Sequence, residues 1–498
     1  MIRSIPAFLL AILLFTGCAP QATQHFITQS NRPADATRFF QELDKSVEET
    51  DGFNQRRTRV EGFPYLATNR FLLSLKEDVT SPLAIDAWLT QMAVLSKEAR
   101  HQEIMNLPWA VIEKLCRSLE PDTTPSRELL NQYARRHADT LLASDKKQEG
   151  LSSTLENELN VPDDYSIALR VVGIYPIAAI PFAYFSNGFF NQLKSWHQTP
   201  PDQLKKHGQL TAFRLRNPIA QNTTRIDGLF HPDNLGPLDL PQLSDEDRKV
   251  LAQRYAPAVI QDIVANYDRI GQVQWQDSNT IRIDTSKPTA YFYLTNAYLK
   301  GEPIWQINYV FWYEGRLGDN TPWFERGLVD GITLRVSLDR EGRPFMVDLM
   351  NNCACSHQFF PRKQMVAGLQ DRSFMFDALV PTWLPDEFPE KPVEIRVNTG
   401  WHQVQAIGTE TSNAAETLYD LLPYEVLEAL PVNSQDNKSI FDADGIVHGS
   451  DRVEPYFFFP MGISNVGAMR QRGHHPVALI GRAHFDDPYL FDLNFKWH

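Results

Sequence analysis

The sequence predicts an α+β fold: a helical N-terminal half followed by a mainly antiparallel β-sheet C-terminal module. Two observations carry that class. In "AIDAWLTQMAVLSKEAR" the apolar residues Ile85, Trp88, Leu89, Met92 and Leu95 return at helical spacing. From about residue 270 the period changes to two, in the runs "TIRID", "TAYFYLTNAY", "PIWQINYVFWYEG", "GITLRVSLD" and "PFMVDLM", split by turn signals such as "KGEP" and "DREGRP". Short strands joined by tight turns imply an antiparallel meander. A hydrophobic content of 43% over 498 residues can fill more than one core.

The first element is a leader over residues 1–17. "MIRSIPAFLLAILLFTGCAPQ" has one basic residue, Arg3, then an apolar run from Ile5 to Phe15 that is too short to span a bilayer. Its ending, "FTGC", resembles the bacterial lipobox, with Phe15 where that motif usually has Leu. The resemblance implies cleavage before Cys18, a diacylglyceryl group on its sulfur and a palmitate-type third chain. Ala19 in place of Asp implies sorting to the outer membrane, facing the periplasm. Secretion with Cys18 unmodified is the alternative. Residues 18–36 are polar with Pro and Thr and read as a tether.

Charge narrows the partners. Acidic residues outnumber basic ones 61 to 48, a net −13 that becomes −14 once Arg3 is removed. Such a chain is not expected to bind nucleic acid. Anionic membranes would repel it, so the lipid must hold it, and stable anchoring takes more than one acyl chain. The membrane is thus the one partner expected; a protein or small-molecule partner stays open.

Residues 37–215 form the helical region. "TSP" at residues 80–82 starts one helix, Pro108 breaks it, and another begins after Pro125. "IALRVVGIYPIAAIPFAYFSNGFF", residues 167–190, is the most apolar internal stretch. Its uncharged part, Val171 to Phe185, would cover only ~22 Å as a helix, short of a ~30 Å span, and Pro176 and Pro181 disfavour a helix interior. A buried segment beneath the helices is expected, with a shallow dip into a membrane surface as the alternative. Residues 216–247, rich in Pro, Asn, Asp and Gly, read as a linker or extended arm. Ser244 then caps a helix that opens the β-rich module, 248–498. Within it, residues 270–360 should form one antiparallel sheet with Leu334, Val336 and Phe345 on its core face.

"NNCACSHQFF", residues 351–360, carries the chemistry worth weighing. With Cys18 lipidated, three cysteines remain: Cys116, Cys353 and Cys355. Strand alternation from Phe345, Val347 and Leu349 would turn Cys353, Cys355 and His357 inward, unless a bulge intervenes. Thiolate and imidazole suit a transition metal such as Zn. Positions i and i+2 of a strand lie almost 7 Å apart, so the segment must curl or recruit distant ligands. His402, His474, His475 and His484 are the candidate suppliers. Thiol chemistry is a second reading, with Asp330 or Asp348 orienting a Cys–His pair. A third is structural, one disulfide reaching Cys116 with a buried thiol left over.

The C-terminal "MRQRGHHPVALIGRAHFDDP" gathers Arg470, Arg472 and Arg482 with the three histidines. It could grip an anion, complete the Cys site, or be a salt-bridged surface. Phosphate-loop, Gly-x-Ser-x-Gly and His-Glu-x-x-His motifs are missing from the chain. "YDRIGQVQW", "VDGITLRVSLDREGRPFMVDLMNNCACSH" and "PMGISNVGAMRQRGHH" resemble segments of uncharacterised proteobacterial lipoproteins, from about Tyr255 to the C-terminus. That resemblance implies placement and one contiguous module, and no activity. Two function classes follow: an envelope lipoprotein with a buried Cys/His metal site, or a non-catalytic envelope protein that binds a partner or lipid and carries a structural disulfide.

Overall fold

Ser81 opens the longest helix. Its side chain accepts from the Ala84 N–H, Pro82 occupies the first turn, and the chain turns extended at Leu107, ahead of Pro108. In this computed structural model, which describes residues 32–50, 58–148, 151–219, 224–277, 279–371, 378–409 and 414–498, that helix centres the N-terminal region. The leader, Cys18 and the tether up to residue 31 lie outside the described residues. The region comprises α1 (Ala34–Glu49), β1 (Thr58–Val60), β2 (Phe63–Thr68), α2 (Arg70–Ser74), α3 (Pro82–Asn106), α4 (Trp109–Leu119), α5 (Arg127–Asp145), α6 (Leu151–Glu158), α7 (Ile167–Val172) and α8 (Tyr175–Gln198). Trp88, Leu89 and Met92 of α3 are buried against Phe40 and Leu43 of α1, Tyr65 of β2 and Leu141 of α5. The Trp88 indole N–H donates to the Leu72 carbonyl at 2.8 Å, so the one polar atom of that ring is satisfied.

The next elements are β3 (Gln209–Leu215), α9 (Thr224–Leu229), α10 (Asp245–Arg254), β4 (Ala258–Ile263), β5 (Gln272–Trp275), β6 (Ile281–Asp284), β7 (Thr289–Leu299), β8 (Glu302–Arg316), β9 (Gly327–Leu338), β10 (Pro344–Asn351), β11 (Gln358–Pro361), β12 (Val366–Leu369), β13 (Glu394–Val397), β14 (Val404–Gly408) and β15 (Ala415–Pro423). Ser244 and Asp247 form a reciprocal capping box at α10. Ten strands make one mixed sheet in the order β11-β10-β9-β8-β7-β15-β3-β4-β13-β14. From β7 to β11 it is the expected antiparallel meander. β15 runs parallel to both neighbours, its first half against β3 and its second against β7, and so joins the two parts of the sheet. β5 and β6 form a separate hairpin, and β12 pairs with Phe495–Trp497 near the C-terminus.

Three expectations need correction. Phe345 does not share a face with Leu334 and Val336: the register shifts between Pro344 and Met346, and Phe345 joins a different cluster with Phe359 and Phe491. Residues 270–360 do not form a single sheet either, since β5 and β6 pair apart from the rest. Residues 216–247 make packing contacts: Ile226 and Phe230 enter the sheet's core, and Leu240 touches both that core and the helical one. Last, the apolar stretch 167–190 is not buried. Val171, Val172, Ile177, Ile180, Tyr184 and Phe185 are each at least two-thirds exposed. Pro176 sits in the first turn of α8, where its missing N–H costs nothing, and Pro181 is accommodated inside the helix. No helix among the described residues is long and apolar enough to cross a membrane.

Candidate functional site: two thiols beneath an apolar cavity

Residues 352–357 leave the sheet rather than extend it. The Ala354 N–H bonds back to the Asn351 carbonyl at 2.8 Å, and the Asn351 N–H takes the Cys355 carbonyl at 3.0 Å. Ala354 (φ 72°) and Ser356 (φ 58°) adopt left-handed backbone, which tightens the turn. Strand alternation therefore does not apply to the motif; Cys353 is nonetheless buried in a core cluster with Cys355 packed against it, so the inward placement holds through the turn and not through parity. All of β10 is buried on both faces, so parity would not have separated core from solvent in any case. The curl brings the two thiols together: the Cys355 thiol hydrogen-bonds to Cys353, whose carbonyl lies 4.0 Å from the Cys355 sulfur.

Both cysteines line a cavity of about 650 Å³. Its roof is the inner face of α8, with Phe182, Phe185 and Phe189. Trp323, Trp401 and the C-terminal strip 476–480 also line it. Glu325 and Glu454 are the acidic residues on its wall. α7 and α8 are pinned above it by short contacts. The Arg170 guanidinium donates to the Met461 carbonyl at 2.9 Å, the Gly481 N–H donates to Tyr175 Oη at 2.7 Å, and the Phe182 and Phe458 rings lie 5.1 Å apart.

The floor is a buried charge network. Arg316 grips Asp330 with two N–H groups, at 3.1 and 2.9 Å, and reaches Glu325 at 2.8 Å. The same Glu325 oxygen accepts from the Trp401 indole at 2.6 Å. His402 lies between Asp330 (2.8 Å) and Asp268 (3.3 Å), stacked on Tyr313. Burial pushes the His402 imidazole down, but its two carboxylate partners outweigh burial and the net direction is up. Burial likewise raises Asp330, and Arg316 outweighs it, holding the carboxyl well below the usual range.

At the thiol pair the hydrogen bond from Cys355 stabilises a Cys353 thiolate; burial opposes, Arg316 assists, and Cys353 is brought down to about 7. Cys355, as the donor, is pushed up by that same bond and by burial. Glu454 goes the other way. Burial and then the facing Cys353 charge push its carboxyl up to about 8. Its Oε2 is buried without a hydrogen-bond partner. Gly467 backs it with φ 84°, and a Cβ there would run into that oxygen.

Most of the histidines weighed as metal ligands are bonded to carboxylates, although His357 lines the same cavity as the thiols. His357 Nε2 bonds Asp348 at 2.8 Å, and Asp348 also takes both arms of Arg335. His474 and His484 turn to Asp164, at 3.0 and 3.2 Å. His475 is buried with Nε2 unpartnered, held down to about 3 by burial and Arg470. Among the described residues no group of three His, Cys, Asp or Glu is placed to hold a metal ion. Cys116, Cys353 and Cys355 are free thiols, and Cys116 lies in the helical core, apart from the other two.

The C-terminal segment does pack on the cysteine turn, since the Arg470 N–H donates to the Asn352 carbonyl at 2.9 Å. What it brings to the cavity is apolar surface rather than imidazole. Of its arginines, Arg472 is buried on Glu425 and Glu428, Arg482 pairs with Asp163, and the buried Arg470 bonds the carbonyls of Ser464 and Asn465. A second cavity of about 540 Å³ lies between α3 and the sheet, and its Arg335 and Arg472 are already paired.

Sequence reasoning weighed Asp330 and Asp348 as orienting carboxylates, and each does hold a histidine. It missed Arg316, Arg452 and Glu454. The signal for Glu454 was present in "VEPYFFFP", a single carboxylate set before a run of aromatics. No known protein family, curated protein or solved structure matches the chain.

Proposed function

We propose that this protein is an envelope lipoprotein, anchored through Cys18, that works at a membrane surface and takes the apolar chain of an amphiphile into the cavity beneath α8. One observation carries the reading: Phe185 belongs at once to the exposed apolar face of α8, where it is 71% exposed, and to the cavity wall. The greasy surface and the greasy interior are thus continuous. Exposed apolar faces of this extent mark interaction sites. This one is joined by Trp323, Tyr456 and Phe457, aromatic side chains of the kind that settle at membrane–water interfaces.

Charge favours a membrane over a protein groove as the occupant of that face. In a chain with 61 acidic residues, none falls between Asp164 and Asp202, whereas Arg170 and Lys194 do. A helix with an apolar face, no carboxylates and basic flanks suits the headgroup boundary. The cavity falls in the ordinary size range for small-ligand sites, ~300–1,000 Å³.

The test uses the full chain carrying Cys18→Ser, so that the anchor does not mask the site. A bromine-labelled fatty alcohol should quench tryptophan fluorescence saturably, and Trp323→Phe with Trp401→Phe should remove most of that quenching. Quenching that never saturates, or that survives both substitutions unchanged, overturns the reading.

A further inference from the structure

The thiol pair is not needed to bind an apolar chain. Cys353 is only 4% exposed, yet it faces the cavity. Its charge is felt by three guanidinium groups from three parts of the chain, Arg316, Arg452 and Arg470, with the Asp330 carboxylate opposing. Arg452 and Arg470 spend their hydrogen bonds on backbone carbonyls, so their positive charge is not cancelled by a bonded carboxylate. Such an electropositive setting stabilises thiolate, the nucleophilic form of cysteine. On the same wall stands Glu454, 5% exposed, with one carboxyl oxygen unpartnered and room kept for it by Gly467. That buried Oε2 packs against Gly467, so it is the other carboxyl oxygen of this cavity-lining residue that is offered to what the cavity receives.

We propose that Cys353 is a nucleophile that takes the acyl group from an ester-linked amphiphile held in the cavity, with Glu454 as the acid that protonates the departing alcohol. The proposal rests on the cavity being the chain-binding site. In the first step the Cys353 sulfur bonds to the carbonyl carbon, the ester C–O bond breaks, and the alkoxide takes the Glu454 proton. The products are a Cys353 thioester, a free alcohol and a Glu454 carboxylate. In the second, water attacks the thioester carbonyl and gives its proton to Glu454. The C–S bond breaks, releasing the fatty acid and regenerating thiolate and carboxylic acid. No oxidant or metal enters the balance. Protonation states agree: near neutral pH a fraction of Cys353 is thiolate while Glu454 keeps its proton. The Cys355 thiol donates to the Cys353 carbonyl at 4.0 Å, which sets the two cysteines together, and it is the positioning residue.

The experiment again uses the full chain with Cys18→Ser. It is incubated with two octanoyl esters, 1-octanoylglycerol and p-nitrophenyl octanoate, and followed by intact mass and peptide mapping. An octanoyl thioester on Cys353 is expected from both, and none with Cys353→Ala. Glu454→Gln should slow acylation by the glycerol ester about 100-fold and leave the nitrophenyl ester within a few-fold, because nitrophenolate needs no acid to leave. A merely structural Glu454 would slow both alike, and that result overturns its role. Saturable quenching by the brominated alcohol with no adduct, or with the adduct on Cys355 or Cys116, overturns the acyl-transfer proposal and spares the cavity reading. No quenching removes both.

Discussion

Replacing Glu454 with Gln tests the electrostatics of the cavity floor without any ligand. The native carboxyl holds its proton to about 8, against an ordinary value near 4.5. Its folded-state affinity is raised, so its stabilising contribution is complete below about pH 4.5 and is lost as pH climbs towards 8. Each tenfold change in proton affinity is worth about 1.4 kcal/mol. The native state should therefore lose about 3 kcal/mol between pH 4.5 and 7, and about 4 kcal/mol by pH 8. Cys353 acts with the opposite sign. Its folded value is lowered from 9.0 to about 7, so it adds stability as pH rises through that interval, up to about 3 kcal/mol. The other charges facing Glu454 are Glu325, Arg316 and Arg452. Wild type should thus weaken from pH 5 to 7, level off to 8, and recover in part by 9. Glu454→Gln has nothing to titrate there, and Gly467 leaves room for its amide. Urea denaturation of both proteins at pH 5, 7 and 9 reads the difference. Equal stability near pH 5, with the variant ahead by about 3 kcal/mol at pH 7, is the expected result. Parallel curves from pH 5 to 7 would refute the buried, proton-holding carboxyl.

Arg316→Met strands Asp330 and Glu325 in the interior and should cost about 3–5 kcal/mol. It should also raise the Cys353 titration, read by thiolate absorbance in the ultraviolet; an unmoved titration rejects Arg316 as a thiolate partner. Asp268→Asn removes one of the two carboxylates that raise His402. The stability they contribute is present below His402's ordinary 6.5 and is lost as pH rises through the raised folded value, so the variant should cost more at pH 5.5 than at 8.5. A cost independent of pH would show that His402 is neutral throughout. Cys18→Ser should leave the chain unlipidated and largely washed from membranes, with residual vesicle binding through α7 and α8. Adding Ile177→Ser, Ile180→Ser and Tyr184→Ser should weaken that residue of binding about 100-fold, at roughly 1.5 kcal/mol or less per partly inserted side chain, with little change in folding stability. Unchanged vesicle binding would refute α8 as the docking face.

Sequence alone determined the features that depend on neighbours in the chain. Ser81, Pro82 and Pro108 mark α3 because a cap, a first-turn proline and a helix breaker act within one turn. Ser244 and Asp247 mark α10 for the same reason. The period of two across β7 to β10 follows from strand geometry and gave the α+β class and the meander. Alternation says which residues share a face, but only while register holds. The shift at Pro344–Met346 moved Phe345, and the left-handed turn at Ala354 and Ser356 took the cysteines off the strand. The tertiary structure decided what those faces meet. An apolar run such as Val171–Phe185 looks the same whether it is buried in protein or offered to lipid, because hydrophobicity has no direction. Seating α8 on Phe458 and Trp401 half-covered one side of it and left the other bare. The partners of Cys353 could not be read locally either: Arg316 lies 37 residues before it and Glu454 101 residues after. Charge acts through space and is strengthened where water is excluded, so the chemistry of that thiol exists only once the sheet, α8 and the C-terminal segment have closed around it.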